Sequence, residues 1–233
     1  MPKRINKAIE LLEQDQMVYY TGAGDLSYEG GKKVAKTWAD YIQVSLEHRA
    51  YDIVALEAFM KGLVDGGPTN SGHRTPAVFV DLPVDGGSEA TIRANAWMFK
   101  QVLARGVHGI LLVHAETPEA VTAFVESCRY SFHTAGVGEG LGVGRRGSGG
   151  QGSAANVWGV STDEYLQKAD VWPLNPEGEI MLGLKIENRR ALENAEGSAA
   201  VPGISFAEWG PGDMGMAFGH PWRHDPPYPD EMV

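Results

Sequence analysis

The chain has 233 residues, 43% hydrophobic and 21% charged, with a formal net charge of −10 from 20 basic and 30 acidic side chains. That length is enough to bury one large core and short for two substantial domains, so a single unit over residues 1–233 is expected. The negative balance argues against a nucleic-acid backbone or an anionic membrane as partner, and a lone cysteine, Cys128, excludes an intramolecular disulfide framework or a multi-thiolate zinc site.

The N-terminal segment MPKRINKAIELLEQDQ reads as an amphipathic helix interrupted by acidic residues, without the continuous apolar stretch of a secretory signal. No run of about 18 apolar residues follows, so a cytoplasmic protein is expected, which suits an unpaired cysteine. Six short β-rich runs come next: Met17 to Thr21, Tyr41 to Glu47, Ala77 to Leu82, Gly109 to His114, Ile180 to Glu187 and Ile204 to Trp209. Between them, Ile53 to Val64, Glu89 to Ala104 and Pro118 to Arg129 carry apolar residues three and four apart, the helical period. This alternation predicts an α/β fold with a parallel sheet and crossover helices.

The connection from the fourth run to the fifth holds Gly136 to Gly152, nine glycines in seventeen residues, and then a short helical pattern, Thr162 to Ala169. Within it Gly142-Val-Gly144-Arg-Arg-Gly147 fits G-x-G-x-x-G, but it does not directly follow a strand and carries no inference of dinucleotide binding. The segment is expected to be a mobile loop over the site. Arg145 and Arg146 are then candidates for a substrate carboxylate, and solvated surface charge is the plainer alternative.

Side-chain alternation divides the strands. In the fifth run Ile180, Leu182, Leu184 and Ile186 form one aliphatic face, while Met181, Gly183, Lys185 and Glu187 form the other; in the second, Tyr41, Gln43, Ser45 and Glu47 share the polar side. Polar residues collect at strand ends: Glu47, His48, Asp81, His114 and Glu187, with Asp213 just past the sixth run. In parallel α/β folds that edge carries the active site. Glu187 and Asp213 end successive strands, an arrangement that suits a hard divalent ion or, alternatively, two helix N-caps. His114 is a weaker candidate for lining the site, and His73, His108, His133, His220 and His224 read as structural or surface positions.

LKIENRRALENA at Leu184 to Ala195 and AAVPGISFAEWGPGDMGMAFG at Ala199 to Gly219 resemble the metal-dependent (class II) pyruvate aldolase and citrate lyase family. Glu47-His48, ESCRYSF at Glu126 to Phe132 and DEYLQKAD at Asp163 to Asp170 extend the resemblance over nearly the whole chain. It implies a TIM-barrel, (β/α)8 fold and a carbon–carbon lyase acting on a hydroxy-2-oxo acid and an aldehyde, with pyruvate as product or nucleophile. It also implies a divalent ion (Mg²⁺, Mn²⁺ or Co²⁺) held by Glu187 and Asp213, and His48 as general base. Gly212 and Asp213, at a helix N-terminus, are then candidates for the substrate carboxylate through their backbone N–H groups, with Ser45 a further substrate-binding candidate. Homo-oligomers are common in the family; assembly of this chain is an open expectation.

Three positions depart from the family pattern: Asp81 stands near its usual arginine, Ser45 replaces an aspartate, and Lys185 replaces a residue commonly glutamine. Lys185 is a candidate to supply the arginine's positive charge, with a plain salt bridge as the alternative. Two further readings stay open: a degenerate, non-catalytic barrel that binds an oxo acid, and a Schiff-base aldolase using Lys185. Six readable strands against the eight of a barrel predict that it is incomplete, lacking units seven and eight.

Overall fold

The computed structural model describes residues 3–222 and 225–232. Its elements run α1 (Lys7–Leu12), β1 (Tyr20–Gly22), α2 (Tyr28–Val34), β2 (Tyr41–Ser45), α3 (Ile53–Asp65), β3 (Ala77–Asp85), α4 (Glu89–Leu103), β4 (Gly109–Val113), α5 (Pro118–Cys128), α6 (Gln151–Trp158), α7 (Thr162–Lys168), β5 (Val171–Trp172), β6 (Ile180–Ile186), α8 (Arg189–Glu193), α9 (Ala195–Ala199), β7 (Phe206–Trp209) and α10 (Pro211–Phe218), then a short 3-10 turn at Asp230–Met232. All six expected runs form strands. The additional strand, β5, is two residues long, too short for alternation to register, and α6 opens inside the Gly-rich segment, where glycine hides the helical period.

Neighbouring strands are parallel throughout, in the order β1-β2-β3-β4-β6. The remaining edge of β6 is shared: β5 pairs with its start, Val171 opposite Ile180, and β7 with its end, from Gly183 opposite Phe206 to Ile186 opposite Trp209. β1 and β7 do not pair, so the sheet stays open, an incomplete barrel. It is nonetheless curled. Strands three steps apart in a flat sheet lie about 14 Å from each other, yet the rings of Phe79 on β3 and Phe206 on β7 stack with centroids 5.7 Å apart.

Alternation along the strands separates two cores. Ile180, Leu182, Leu184 and Ile186 face outward with Ile42, Val44 and Leu46, and pack beneath helices through residues such as Phe59, Phe99 and Phe124. Tyr41, Ala77, Phe79, Leu111 and Met181 face inward and meet Ala8 and Ile9 of α1. Asn6 fixes α1 there by donating to the carbonyls of His108 and Glu179, which immediately precede β4 and β6, so α1 plugs the N-terminal end of the barrel. Gly183 has a specific role: a Cβ would lie 2.4 Å from Phe206 Cζ, so the interior ring requires glycine opposite it.

The turns from β2, β3, β4 and β6 into the helices that follow are each capped by a short polar side chain. Asp52, Ser88, Thr117 and Asn188 accept from the backbone N–H three residues on, with distances of 2.8, 3.2, 3.2 and 2.9 Å. No helix among the described residues is long and apolar enough to cross a membrane.

Candidate functional site

Four strands deliver an acidic or imidazole group to the C-terminal rim of the sheet: Glu47 after β2, His114 after β4, Glu187 after β6, and Asp213 in the first turn of α10 after β7. One ligand atom from each falls in a group whose members all lie within 4.8 Å of one another. Glu187 and Asp213 are not helix caps. Asn188 caps α8, and Gly210 occupies the cap position of α10 without a side-chain bond, which leaves both carboxylates free of that duty.

Glu187 is buried and closely held. Its Oε1 accepts the backbone N–H of His114 at 3.1 Å and lies 3.7 Å from His114 Nε2, while its Oε2 is 3.3 Å from Lys185 Nζ. Gly210 makes room for it, because a Cβ there would meet Glu187 Oε2 at 2.5 Å. The His114 ring is also held from behind, with Asn188 Nδ2 3.4 Å from Nδ1 and the same amide donating to Glu116. His114 itself has φ +46°, a left-handed conformation that is costly for a residue with a Cβ and is found at functional positions more than elsewhere.

Lys185 is the ammonium among these carboxylates. Only 6% of it is exposed, and Nζ donates to Glu47 Oε2 at 2.8 Å. Burial alone would lower its pKa, but the bond to Glu47 and the charges of Glu187, Glu47 and Asp81 outweigh burial and raise it, so the amine stays protonated. Burial raises the pKa of Glu187 against the opposing charge of Lys185. Glu208 behaves alike, pushed up first by burial and then by Glu187, Asp81 and Glu47, with Lys185 opposing. It is the cross-strand neighbour of Lys185. Glu208 lies before the end of its strand and so escapes the strand-end pattern, yet alternation along Phe206–Trp209 places it on the inward side with Phe206.

The other expected positions divide. His48 stands at the mouth with its side chain 67% exposed and Nε2 3.5 Å from Glu47 Oε2. Ser45 is half-buried with a buried Oγ that has no hydrogen-bond partner, and Gln43 Oε1 is likewise unpartnered. The amides of Gly212 and Asp213 belong to the first turn of α10, whose N-terminus no side chain caps. Asp81 is structural: it accepts from Leu46 N and Gln43 Nε2, both at 3.1 Å, tying β3 to β2.

Arg146 is not brought to this group. It is 3% exposed and stacks over Tyr130 with 4.4 Å from Cζ to the ring centroid, while Nη2 donates to Tyr165 Oη at 2.6 Å. Nor does the Gly-rich segment cover the rim. α5 starts at the rim and carries the chain about 16 Å away over its eleven residues. The segment is then pinned to the far end of that helix: Glu126 accepts from Gly142 N through Oε1 and from Arg145 N through its backbone oxygen, both at 2.7 Å. Of the remaining histidines, His73 and His108 are buried, His220 pairs with Glu231, and His224 lies outside the described residues.

No protein-family model matches the chain. It is 29% identical over 140 residues to a hydroxypyruvate/pyruvate aldolase of Chromohalobacter salexigens, covering 60% of this chain and 47% of that protein. It is 29% identical over 139 residues to a 2-keto-3-deoxy-L-rhamnonate aldolase of Klebsiella pneumoniae, covering 60% and 45%. The chain therefore spans about half the length of these curated relatives. Among solved structures, an HpcH/HpaI aldolase/citrate lyase family protein from Burkholderia cenocepacia J2315 superposes with a TM-score of 0.72 at 20% identity, covering 95% of this chain and 75% of that one.

Proposed function

Taking the chain as a relative of the pyruvate aldolase and citrate lyase family, we propose that it is a divalent-metal-dependent carbon–carbon lyase that cleaves or forms a bond next to a 2-oxo acid, with pyruvate as the nucleophile. The observation that carries this reading is the convergence of Glu47, His114, Glu187 and Asp213 from four strand ends. Three carboxylates and an imidazole at that spacing fit Mg²⁺, Mn²⁺ or Co²⁺, and the space that Gly210 leaves for Glu187 is part of the same fit. Such an ion would supply positive charge for the oxyanion that develops when a proton leaves the carbon beside the carbonyl.

The protein's own groups would do the rest. His48 Nε2, beside Glu47 and open to solvent, takes the methyl proton; an imidazole suits transfer near neutrality. The uncapped amides of Gly212 and Asp213 receive the substrate carboxylate, with the helix dipole behind them. Ser45 Oγ, buried and unpartnered, offers a hydrogen bond from the interior side. Lys185 holds Glu47 and Glu187 in place and supplies charge where the family pattern has an arginine nearby. Its protonated state disfavours the Schiff-base route.

The test is exchange of pyruvate methyl protons with D₂O, followed by NMR. Exchange in the presence of Mg²⁺, Mn²⁺ or Co²⁺ that stops with EDTA supports the reading. A folded protein that exchanges with none of these ions overturns it in favour of a non-catalytic barrel, and borohydride trapping of pyruvate on Lys185 would replace it with the Schiff-base class.

A further inference from the structure

A cavity of about 480 Å³ lies on the outer layer where the end of α4 meets the Gly-rich segment just before α6. Its lining includes Lys100, Arg105 and Arg146 from one side and the loop Gly147, Ser148 and Gly150 from the other, with no carboxylate among the described lining residues. In a chain of net charge −10 that is a local reversal of sign.

The cations here are incompletely matched. Lys100 is half-buried, and its ammonium has no ion pair or hydrogen-bond partner among the described residues. Arg146 is almost wholly buried, yet Nη1 has no partner, since Tyr165 takes only Nη2. Arg105 spends Nη1 on Glu57 and Nη2 on Gln101, and its buried Nε is likewise unpartnered. Buried donors normally find an acceptor, because leaving one unmade costs on the order of 1–3 kcal/mol. Arg146, whose guanidinium has no carboxylate partner, and Lys100 thus leave positive charge at the wall of this cavity that no described acidic group matches, which favours an anion supplied from outside.

The loop is shaped for the same kind of ligand. Gly149 and Gly150 have φ of +128° and +73°, and a Cβ on Gly150 would lie 2.4 Å from Ala104 Cβ, so glycine is required for the loop to approach α4. Immediately after them α6 begins with no side-chain cap, its eight residues directing the free N–H groups of the first turn toward this end. A helix start and cationic side chains on opposite walls suit an anion with acceptor oxygens on several sides, which a phosphate group presents and a planar carboxylate does not, and the volume exceeds that of a single anion.

We propose that this cavity binds the phosphate group of a small molecule, at a site separate from the carboxylate-lined rim. Lys100 and Arg146 meet the charge, and the loop and α6 supply neutral N–H donors. The proposal does not rest on the lyase reading, and either stands if the other fails.

Calorimetric titration of the full chain in EDTA, with inorganic phosphate and separately with glucose 6-phosphate, tests it. Saturable binding of at least one is expected, weakened at least about tenfold in Lys100→Ala, abolished in Ser148→Asp, which places a carboxylate in the loop, and unchanged in Glu187→Gln. Tighter binding of the ester would make the ligand a phosphorylated metabolite; equal or weaker binding would make it free phosphate. Circular dichroism checks that the variants fold, and Ser148→Asp, exposed on the loop, decides the matter if Lys100→Ala does not. No saturable binding of either probe up to about 10 mM, binding that survives Ser148→Asp, or binding that is lost in Glu187→Gln overturns the proposal.

Discussion

At the C-terminal rim, Glu47, Glu187, Glu208 and Asp213 gather near one ammonium, Lys185, while at the other end of α5 a guanidinium and a carboxylate are matched one to one. Arg129 Nε and Nη2 donate to the two oxygens of Asp170 at 2.7 and 3.0 Å, Nη1 donates to the carbonyl of Ala135, and Asn175 adds a further bond to Asp170. Burial alone would raise the pKa of Asp170, but Arg129 outweighs it and holds the carboxyl below the ordinary range. Both places bury charge, and the difference is in what is left over. A completed pair has nothing to offer a ligand and serves as scaffold, whereas a rim with more carboxylates than cations has a surplus of acceptors.

The sharpest way to break that comparison is to remove charge from each place in turn. Glu187→Gln should lower metal-dependent proton exchange by about 1,000-fold while the chain stays folded; exchange at the parental rate would show that the surplus is not functional. Arg129→Ala, by contrast, should destabilise folding by about 3–5 kcal/mol, because it leaves Asp170 buried without its partner. Urea unfolding measures that loss, and a variant of parental stability would place Arg129–Asp170 outside the scaffold.

A smaller effect sharpens the contrast through pH. His108 is wholly buried as a neutral ring whose Nδ1 accepts from Val78 N at 3.1 Å, and burial pushes its pKa down to about 3. Its unfolded value is about 6.5, so between those limits the unfolded chain binds the extra proton and stability is lost as the pH is lowered. About 2 kcal/mol should be lost from this group by pH 5, with no further loss from it below pH 3. His108→Gln should flatten that slope in unfolding measured at pH 7 and pH 5; an unchanged slope would clear His108 of the effect. The smallest change concerns a cap far from either charged place: Asp52→Ala should cost about 1 kcal/mol by freeing the Ala55 N–H at the start of α3, read as a shift in thermal midpoint.

Much of this was legible from local pattern. Alternation in Ile180–Glu187 separates the aliphatic side that packs under helices from the side carrying Lys185 and Glu187, and the parallel topology then brings strand ends together. Glu47 and His114 join Glu187 and Asp213 for that reason alone. Arg146 shows where local pattern fails. In the sequence it is a basic residue in a glycine-rich loop, which reads as a mobile, substrate-facing group, and nothing nearby indicates that Tyr130 and Tyr165 will enclose it. Those rings precede and follow it by sixteen and nineteen residues, and only helix packing makes them neighbours.

The sequence by itself determined the succession of strands and helices, the side of each strand that is polar, and the edge at which acidic residues accumulate, because all three follow from periodicity and from the direction of a parallel sheet. Only the tertiary structure decided how the charges are shared out. Lys185 takes Glu47 and Glu187, Asp81 is used up between two strands, Asn188 and Gly210 relieve Glu187 and Asp213 of capping, and the Gly-rich segment lies against α5 and away from the rim. Each of those outcomes depends on distances of a few ångströms between residues far apart in the chain, which alternation and spacing do not encode.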